Sequence, residues 1–210
     1  MRFILILILL GCMTSSVKSY YNMALRMQYN IIKDAILNDS KMPIIYVNKN
    51  YYPVDIKNKF LSAEHIYPQS LLNIKQSNDM HNIIKTINTL NVNRSNYRFR
   101  DDYDKRDKNW VELEYNNYVN HKNKLFVPNN DSRGFISRAI LYMYREYKCN
   151  PKKIIDIEIL KKWYYNFSPT HEEIYHNMVV KRIQNKNNIF ISNYNKKNKG
   201  IKKIIDSLPL

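Results

Sequence analysis

The spacing of the apolar residues constrains the fold of this chain more than any other feature. Apolar side chains recur at intervals of three and four over residues 20–38 and 79–93, which predicts helices with one buried face. Residues 44–47 and 51–60 lie between these segments. They are rich in β-branched and aromatic residues, which indicates short strands. This strand-to-helix order predicts a ββα unit within an α+β fold.

Three more helices are expected towards the C-terminus, at about residues 131–148, 151–166 and 171–186. The third follows a capping box of the form Thr-x-x-Glu. In contrast, residues 98–130 are polar, charged and rich in Asn, which predicts a long excursion with one short strand. The domain is therefore expected to be mainly helical, with short strands and a central ββα finger.

At 210 residues the chain can form one domain with a hydrophobic core, and no linker divides it. We expect a single domain over residues 20–192 and a basic, flexible tail over residues 193–210. The tail has few apolar residues that could join a core, and it contains five lysines: Lys196, Lys197, Lys199, Lys202 and Lys203. No feature indicates a stable protein partner, so we expect a monomer.

Residues 1–19 have the features of a secretory signal peptide. A basic residue precedes an unbroken apolar run from Phe3 to Leu10, which is too short to cross a bilayer. Cleavage after Ser19 would release a secreted or periplasmic protein with Cys149 as its only cysteine, so no internal disulfide could form. Alternatively, the run Leu-Leu-Gly-Cys that ends at Cys12 resembles a lipobox, and lipidation there would anchor a lipoprotein.

The chain carries a strong excess of positive charge, with 34 Lys and Arg against 18 Asp and Glu and a formal net charge of +16. This excess suits a polyanionic partner such as nucleic acid. Charge alone decides little, because an abundance of Lys, Asn, Ile and Tyr also follows from AT-rich coding sequence. The basic composition therefore supports nucleic-acid binding only in combination with a catalytic site.

The residues that indicate chemistry lie close together in the sequence. Glu64 and His65 place a carboxylate beside an imidazole, and Asn91 or Asn93 offers an amide oxygen on the following helix. Hydrolysis of a phosphodiester requires a group that activates water and positive charge that neutralises the phosphate. We therefore predict His65 as the general base and Glu64 as a ligand of Mg²⁺ or a similar hard divalent ion.

Other polar residues are expected to support this site. Arg94 is predicted to clamp a phosphate oxygen, with a salt bridge to Asp79 as the alternative. Asp79, His81 and Asn82 are expected to brace the finger, and His81 could also orient a metal-bound water. Two arginines of the helix predicted after residue 131 are expected to line the substrate groove, namely Arg133 and Arg138.

Two other functional classes are disfavoured. The segment His171–His176 contains two histidines and two glutamates, as a zinc protease motif does. Its histidines are five positions apart, which is about 140° around a helix, so they cannot bind one metal from the same face. A toxin that acts on anionic membranes would need a basic amphipathic helix, and the sequence offers none.

The blocks Glu64–Ser70, Asn78–Asn82 and Asn91–Asn96 resemble the endonuclease I family of secreted nucleases, which have a ββα-metal, or His-Me, finger. A later run, Arg133–Met143, resembles the family pattern R-G-x-x-x-R-A-x-x-Y-M. The similarity extends over about residues 62–191, so it covers most of the chain.

The resemblance implies that Asn91, rather than Asn93, is the second ligand of the metal. It also implies hydrolysis of DNA with low sequence specificity to leave 5′-phosphates, with RNA as a further candidate substrate. A secreted, metal-dependent endonuclease is therefore the expected function. The alternative is a catalytically inactive, cationic protein that binds nucleic acid on the same scaffold.

Overall fold

The computed structural model describes residues 15–48, 59–195 and 197–209. Its α-helices are α1 (Ser15–Asn38), α2 (Ile74–Ser77), α3 (Asn88–Arg94), α4 (Asn130–Tyr147), α5 (Ile157–Asn166), α6 (His171–Gln184), α7 (Ile189–Ser192) and α8 (Lys199–Asp206). Its strands are β1 (Ile44–Ile45), β2 (Leu61–His65), β3 (Ile83–Ile87), β4 (Arg98–Phe99), β5 (Trp110–Leu113), β6 (Asn117–Asn120) and β7 (Leu125–Val127). The elements confirm the predicted α+β fold, which is mainly helical.

Part of the predicted organisation lies outside the described residues. This part includes residues 1–14 of the predicted signal peptide, with Cys12, and most of the strand predicted over residues 51–60. None of the described helices combines the length and the apolar character that crossing a bilayer requires. The signal peptide and the lipid anchor stay predictions from the sequence.

The ββα finger consists of β2, β3 and α3. β2 pairs antiparallel with β3, which places Glu64 opposite Ile84 and His65 opposite Ile83. α3 follows β3 directly, and β1 adds a parallel partner on the other edge of β3. The predicted ββα unit is therefore present, and Glu64 and His65 lie at the end of its first strand.

The helix predicted over residues 79–93 is wrong in its first half. Residues 83–87 form β3, and the helix covers only residues 88–94. Every residue of β3 is buried. Its two faces pack against different clusters: Ile83 lies in a small hydrophobic cluster with α1, and Ile84 lies in the main hydrophobic core. The helix was predicted because the apolar residues Met80, Ile83, Ile84, Ile87 and Leu90 are three or four positions apart, a spacing that also occurs across this strand and its flanking segments.

Residues 98–127, all of which the structure describes, contribute a second sheet in the order β4-β7-β6-β5. The prediction of one short strand in this region is therefore wrong. These strands are two to four residues long, so they give little periodic signal. Their inward side chains Phe99, Val119 and Phe126 are buried and form one wall of the main core.

The C-terminal helices organise the interior. α4, α5 and α6 confirm the three helices predicted after residue 131. α4 is buried from Gly134 to Met143 and lies at the centre of the main core. On the other side of β3, Ile32 and Ile36 of α1 pack against Ile83 in a smaller cluster. The finger is thus held between α1 and the main core.

The tail expected to be flexible instead contains α8. Ile201 and Ile205 of this helix and the following Leu208 are buried in the main core. Ile201 and Ile205 are four positions apart and share one face of α8, while Lys199, Lys202 and Lys203 are exposed. The expectation that the sequence has no basic amphipathic helix is therefore wrong, although the apolar face of this helix is covered by the core. The tail therefore contributes three apolar residues to the core, although its high lysine content suggested an exposed segment.

Candidate active site

His65 lies at the end of β2 and is 7% exposed. Its Nε2 is 2.9 Å from the carbonyl oxygen of Ser77. A carbonyl oxygen only accepts hydrogen bonds, so Nε2 carries the proton and Nδ1 keeps a lone pair. Burial lowers the pKa of His65, and the hydrogen bond to Ser77 opposes this effect. The imidazole is therefore neutral at pH 7, with Nδ1 as the atom that can accept a proton from water.

The Ser77 carbonyl is positioned by a short capped helix. α2 begins with a capping box, in which Asn73 Oδ1 accepts from Gln76 N at 3.0 Å and Gln76 Oε1 accepts from Asn73 N at 2.9 Å. Directly after this helix, Asn78 Nδ2 donates to the Leu25 carbonyl of α1 at 2.7 Å. The segment that holds His65 is therefore fixed both by its own cap and by α1.

Glu64 is 2% exposed, and one of its oxygens is fully used by the protein. Oε1 accepts a hydrogen bond from Tyr46 Oη at 3.0 Å and forms a salt bridge with Arg94 Nη1 at 3.0 Å. Burial raises the pKa of Glu64, and the positive charge of Arg94 counteracts this shift. The backbone N–H of His65 also stabilises the carboxylate. Since Tyr46 and Arg94 both contact Oε1, Oε2 is the better candidate for a metal ligand.

Tyr46 is a site residue that the sequence did not indicate. It is fully buried and has a positive φ of 64°, which is costly for a bulky side chain. Its backbone nitrogen donates to Ser132 Oγ at 2.7 Å, and its carbonyl accepts from Asn117 Nδ2 at 2.8 Å. These bonds hold the strained backbone so that the hydroxyl reaches Glu64.

Arg94 lies inside the protein, where its side chain is 1% exposed. It donates from Nη1 to the His65 carbonyl at 3.0 Å and from Nη2 to the Ile66 carbonyl at 2.5 Å, and it packs over the Phe99 ring. This burial does not fit the predicted phosphate clamp. The alternative salt bridge is also not formed, because Arg94 pairs with Glu64 rather than with Asp79.

Asn91 lies on α3 with its side chain against β2. Its Nδ2 donates to Ser62 Oγ at 2.9 Å and to the Ala63 carbonyl at 3.2 Å, next to Glu64 in the same strand. Among the described residues, no hydrogen bond uses Asn91 Oδ1. Asn93, in contrast, bonds to the Thr89 carbonyl of its own helix. Of the two amides, Asn91 therefore has the better position for its Oδ1 to act as a metal ligand beside Glu64.

The candidate ligands of this site are oxygen atoms, and the ligand type determines which metal ions it can bind. Within the described part of the chain, no cluster of three or more His, Cys, Asp or Glu could form a protein cage for a metal. Glu64 Oε2 and Asn91 Oδ1 remain as two oxygen donors. Such a small oxygen set fits Mg²⁺, which keeps several of its waters, and does not fit a structural zinc site.

Asp79 braces the finger, as predicted, through partners far away in the sequence. Its Oδ2 accepts from Tyr142 Oη at 3.0 Å, Tyr147 Oη at 2.6 Å and Lys186 Nζ at 2.6 Å. Its Oδ1 caps the turn by accepting from His81 N at 3.0 Å. Burial alone would raise the pKa of Asp79, but Lys186 lowers it below the usual value. Asp79 is thus an ionised anchor between the finger and α4.

His81 and Asn82 also have structural positions. His81 is 2% exposed and lies beside Tyr142 and His176, so it cannot orient a metal-bound water as suggested. Asn82 Oδ1 accepts from Tyr67 N at 2.7 Å, and Asn82 Nδ2 donates to the Tyr67 carbonyl at 3.0 Å. This amide continues the pairing of β2 with β3 beyond His65 and fixes the backbone that follows the base.

Gln184 completes the support of the segment before β3. Its Oε1 accepts from Met80 N at 3.0 Å, and its Nε2 donates to the Asn78 carbonyl at 2.8 Å. The sequence offers no indication of this role, since Gln184 lies within the helix predicted over residues 171–186. No local pattern could have indicated it, since its partners lie more than 100 positions earlier.

Arg133 and Arg138 each border a cavity, but Glu64 and His65 line neither of the two, so the predicted role of these arginines in a substrate groove stays a prediction. Arg138 is 1% exposed and forms a buried pair with Glu173, at 2.5 and 2.6 Å. Arg133 donates to the side chain and carbonyl of Asp101 at 3.1 and 2.7 Å. Gly134 allows the Arg138 arrangement, because an added Cβ would lie 2.6 Å from Arg138 Nη2. The two arginines therefore hold α4 to neighbouring segments.

The site and its supports lie within the span of a known family. A family model described as Endonuclease I matches residues 13–195, which include the finger, α4, α6 and Lys186. A search of curated proteins finds no match. The family match covers most of the chain, in agreement with the resemblance of the three blocks and of α4. The chain belongs to the endonuclease I family.

Proposed function

We propose that this protein is a metal-dependent endonuclease that hydrolyses phosphodiester bonds of DNA, with His65 as the general base. Membership of the endonuclease I family makes it a nuclease that acts on nucleic acid. The observation that supports the proposed mechanism most directly is the 2.9 Å contact between His65 Nε2 and the Ser77 carbonyl. This contact leaves Nδ1 as the basic nitrogen.

In this mechanism, His65 Nδ1 takes a proton from the attacking water, and the Ser77 carbonyl stabilises the imidazolium that results. Glu64 Oε2 and Asn91 Oδ1 would hold a hard divalent ion such as Mg²⁺, which supplies positive charge next to the phosphate when bound. Arg94 favours the ionised form of Glu64 against the effect of burial. Asn82 fixes the backbone after His65.

The substrate is expected to bind through its backbone. The net charge of +16 suits the phosphates of DNA, with RNA as a second candidate substrate. Backbone-directed binding through positive charge carries no base readout, so low sequence specificity is expected. We further propose that the protein acts as a monomer and that it is secreted or periplasmic. A lipid anchor at Cys12 is the alternative.

The proposal is tested by nicking of supercoiled plasmid with Mg²⁺ and with EDTA. We expect the unchanged protein to cut with Mg²⁺ and to stop in EDTA. His65→Ala should lower the rate on the order of 10²-fold or more while DNA binding is retained. His121→Ala is the matched control, because His121 is exposed and lies outside the site.

Two results would contradict the mechanism or the activity. Cleavage by His65→Ala at the rate of the unchanged protein would exclude His65 as the base. Binding of DNA by the unchanged protein without cleavage in Mg²⁺, Mn²⁺ or Ca²⁺ would favour the inactive binding protein instead. Calorimetric titration with Mg²⁺ separates the steps, since Glu64→Ala should lose metal binding and His65→Ala should keep it.

A further inference from the structure

Tyr29 of α1 lies against the imidazole of His65. The two ring centroids are 5.7 Å apart, and the ring planes differ by 25°, which is a stacked arrangement. We propose that Tyr29 is a positioning residue for His65, which sets the plane of the imidazole and thereby the direction of Nδ1. This inference rests on the proposed role of His65 as the general base.

The hydrogen bond to Ser77 cannot set this direction alone. A single bond from Nε2 to a carbonyl restrains one ring atom, but the ring can still turn in part about its Cβ–Cγ bond, because the axis of that bond passes close to Nε2. Turning of the ring would move Nδ1 away from the attacking water. A flat face parallel to the imidazole opposes this rotation, because tilting the ring would bring the two rings into contact. Tyr29 supplies such a face.

The helix that carries Tyr29 is well fixed with respect to the finger. Ile32 and Ile36 of α1 are 3% and 0% exposed and pack with Ile83 of β3. The Leu25 carbonyl of the same helix accepts from Asn78 Nδ2 at 2.7 Å, directly after Ser77. α1 therefore positions both restraints on His65, the Tyr29 ring and the segment with the Ser77 carbonyl.

The phenol hydroxyl has no part in this arrangement. Within the described residues, no hydrogen bond uses the Tyr29 hydroxyl, and its contact with His65 is made through the ring. Phe should therefore replace Tyr29 without loss, whereas Leu fills part of the volume but lacks a flat face. This difference separates positioning of the base from direct contact with substrate.

The first test compares Tyr29→Phe and Tyr29→Leu in plasmid cleavage with Mg²⁺. We expect Tyr29→Leu to lower kcat on the order of 10-fold to 100-fold with KM nearly unchanged, because small misplacement of a catalytic group is costly. Tyr29→Phe should restore kcat. Met27→Leu is the control on the same helix, since Met27 is 59% exposed. A change in KM alone, an equal loss in Tyr29→Phe, or an unchanged Tyr29→Leu would overturn the proposal.

The second test uses NMR of the full chain and does not depend on activity. Nuclear Overhauser contacts between the ring protons of Tyr29 and His65 are expected in the unchanged protein. Stacking should also shift the His65 ring protons upfield, and this shift should persist in Tyr29→Phe and disappear in Tyr29→Leu. Absence of the contacts in the unchanged chain would overturn the proposal even if Tyr29→Leu does not fold. Failure of the unchanged protein to cut DNA would refute the proposed function but leave this contact measurable.

Discussion

His81 and His176 lie side by side in the interior, with ring centroids 6.1 Å apart. Both side chains are nearly or fully buried, and His176 also stacks on Phe135 at 5.6 Å. Burial lowers the pKa of His81 from 6.5 to about 4 and that of His176 from 6.5 to about 3. The folded protein therefore keeps two neutral imidazoles that the unfolded chain would protonate in mild acid.

Acid should destabilise the fold through these residues. Between pH 6.5 and about 4 the unfolded chain binds protons that the folded chain does not, so the free energy of unfolding falls as the pH falls. At pH 4.5, His176 alone accounts for a loss of about 2–3 kcal/mol relative to pH 7. His176→Phe should reduce this loss when urea unfolding is measured at both pH values.

His171→Phe is the control, because His171 is exposed at the start of the same helix. It should leave the pH dependence of unfolding nearly unchanged. An equal slope in the unchanged protein and in His176→Phe would show that His176 is not kept neutral by burial.

The sequence singles out Glu64 and His65 because a carboxylate beside an imidazole is chemically specific, whereas the choice of Asn91 over Asn93 depends on the family resemblance; the roles of all three stay predictions. The sequence could not predict the partners of these residues. Tyr46 is one of 18 tyrosines, and nothing local distinguishes it. Arg94 was predicted to contact phosphate, but it is buried against Glu64 and backbone carbonyls. These partners come near Arg94 only in the folded chain, so the sequence does not show them.

At the scale of elements, α8 shows how a basic segment can still be part of the core. Its exposed face carries Lys199, Lys202 and Lys203, while Ile201 and Ile205 are 3% and 1% exposed. The Ser207 carbonyl after the helix accepts a hydrogen bond from Tyr144 Oη of α4 at 2.9 Å. The helix is therefore docked on the domain.

Truncation of the buried face of α8 should destabilise the protein. Ile205→Ala removes a fully buried side chain and should lower the free energy of unfolding by about 2–4 kcal/mol. Ile183→Ala is the matched control, because Ile183 is 54% exposed on α6 and should change stability by less than about 0.5 kcal/mol. Equal effects in urea unfolding would mean that α8 does not dock in solution.

α4, α5 and α6 were predicted well because each is long enough for a helical pattern to appear and because a helix cap starts each of them. β3 was predicted as a helix because its apolar residues and those that flank it are three or four positions apart, and only its pairing with β1 and β2 identifies it as a strand. The strands of the second sheet are too short for a period to appear. These errors arise because tertiary contacts, rather than local preference, decide the element.

At the scale of the whole molecule, the net charge of +16 favours association with polyanions at low salt. The site arginines do not provide this charge, since Arg94 and Arg138 are buried and paired. The proposed attraction for DNA therefore depends on the exposed lysines together with exposed arginines such as Arg98, Arg100 and Arg182. The lysines of α8 are suited to a test because the buried face of the helix can be left intact.

Replacement of Lys199 and Lys203 together by Gln should weaken DNA binding and flatten its salt dependence. If both lysines meet phosphates, the slope of log K against log salt should fall by about 2, as measured by fluorescence anisotropy. The variant with Arg at both positions keeps the charge and should keep the slope. Unchanged slopes in both variants would place the DNA on another face.

The contacts of Asp79 with Lys186 and of Asn78 with Gln184 can form only late in synthesis, because they join residues far apart in the sequence. Lys186 and Gln184 lie 107 and 106 positions after the residues that they hold beside the finger. During synthesis, Glu64 and His65 leave the ribosome long before these supports exist. If the chain is exported before it folds, it would therefore pass through its own cell as a latent nuclease. A chain interrupted before Gln184 would carry every proposed catalytic group and still spare the DNA of the cell that made it.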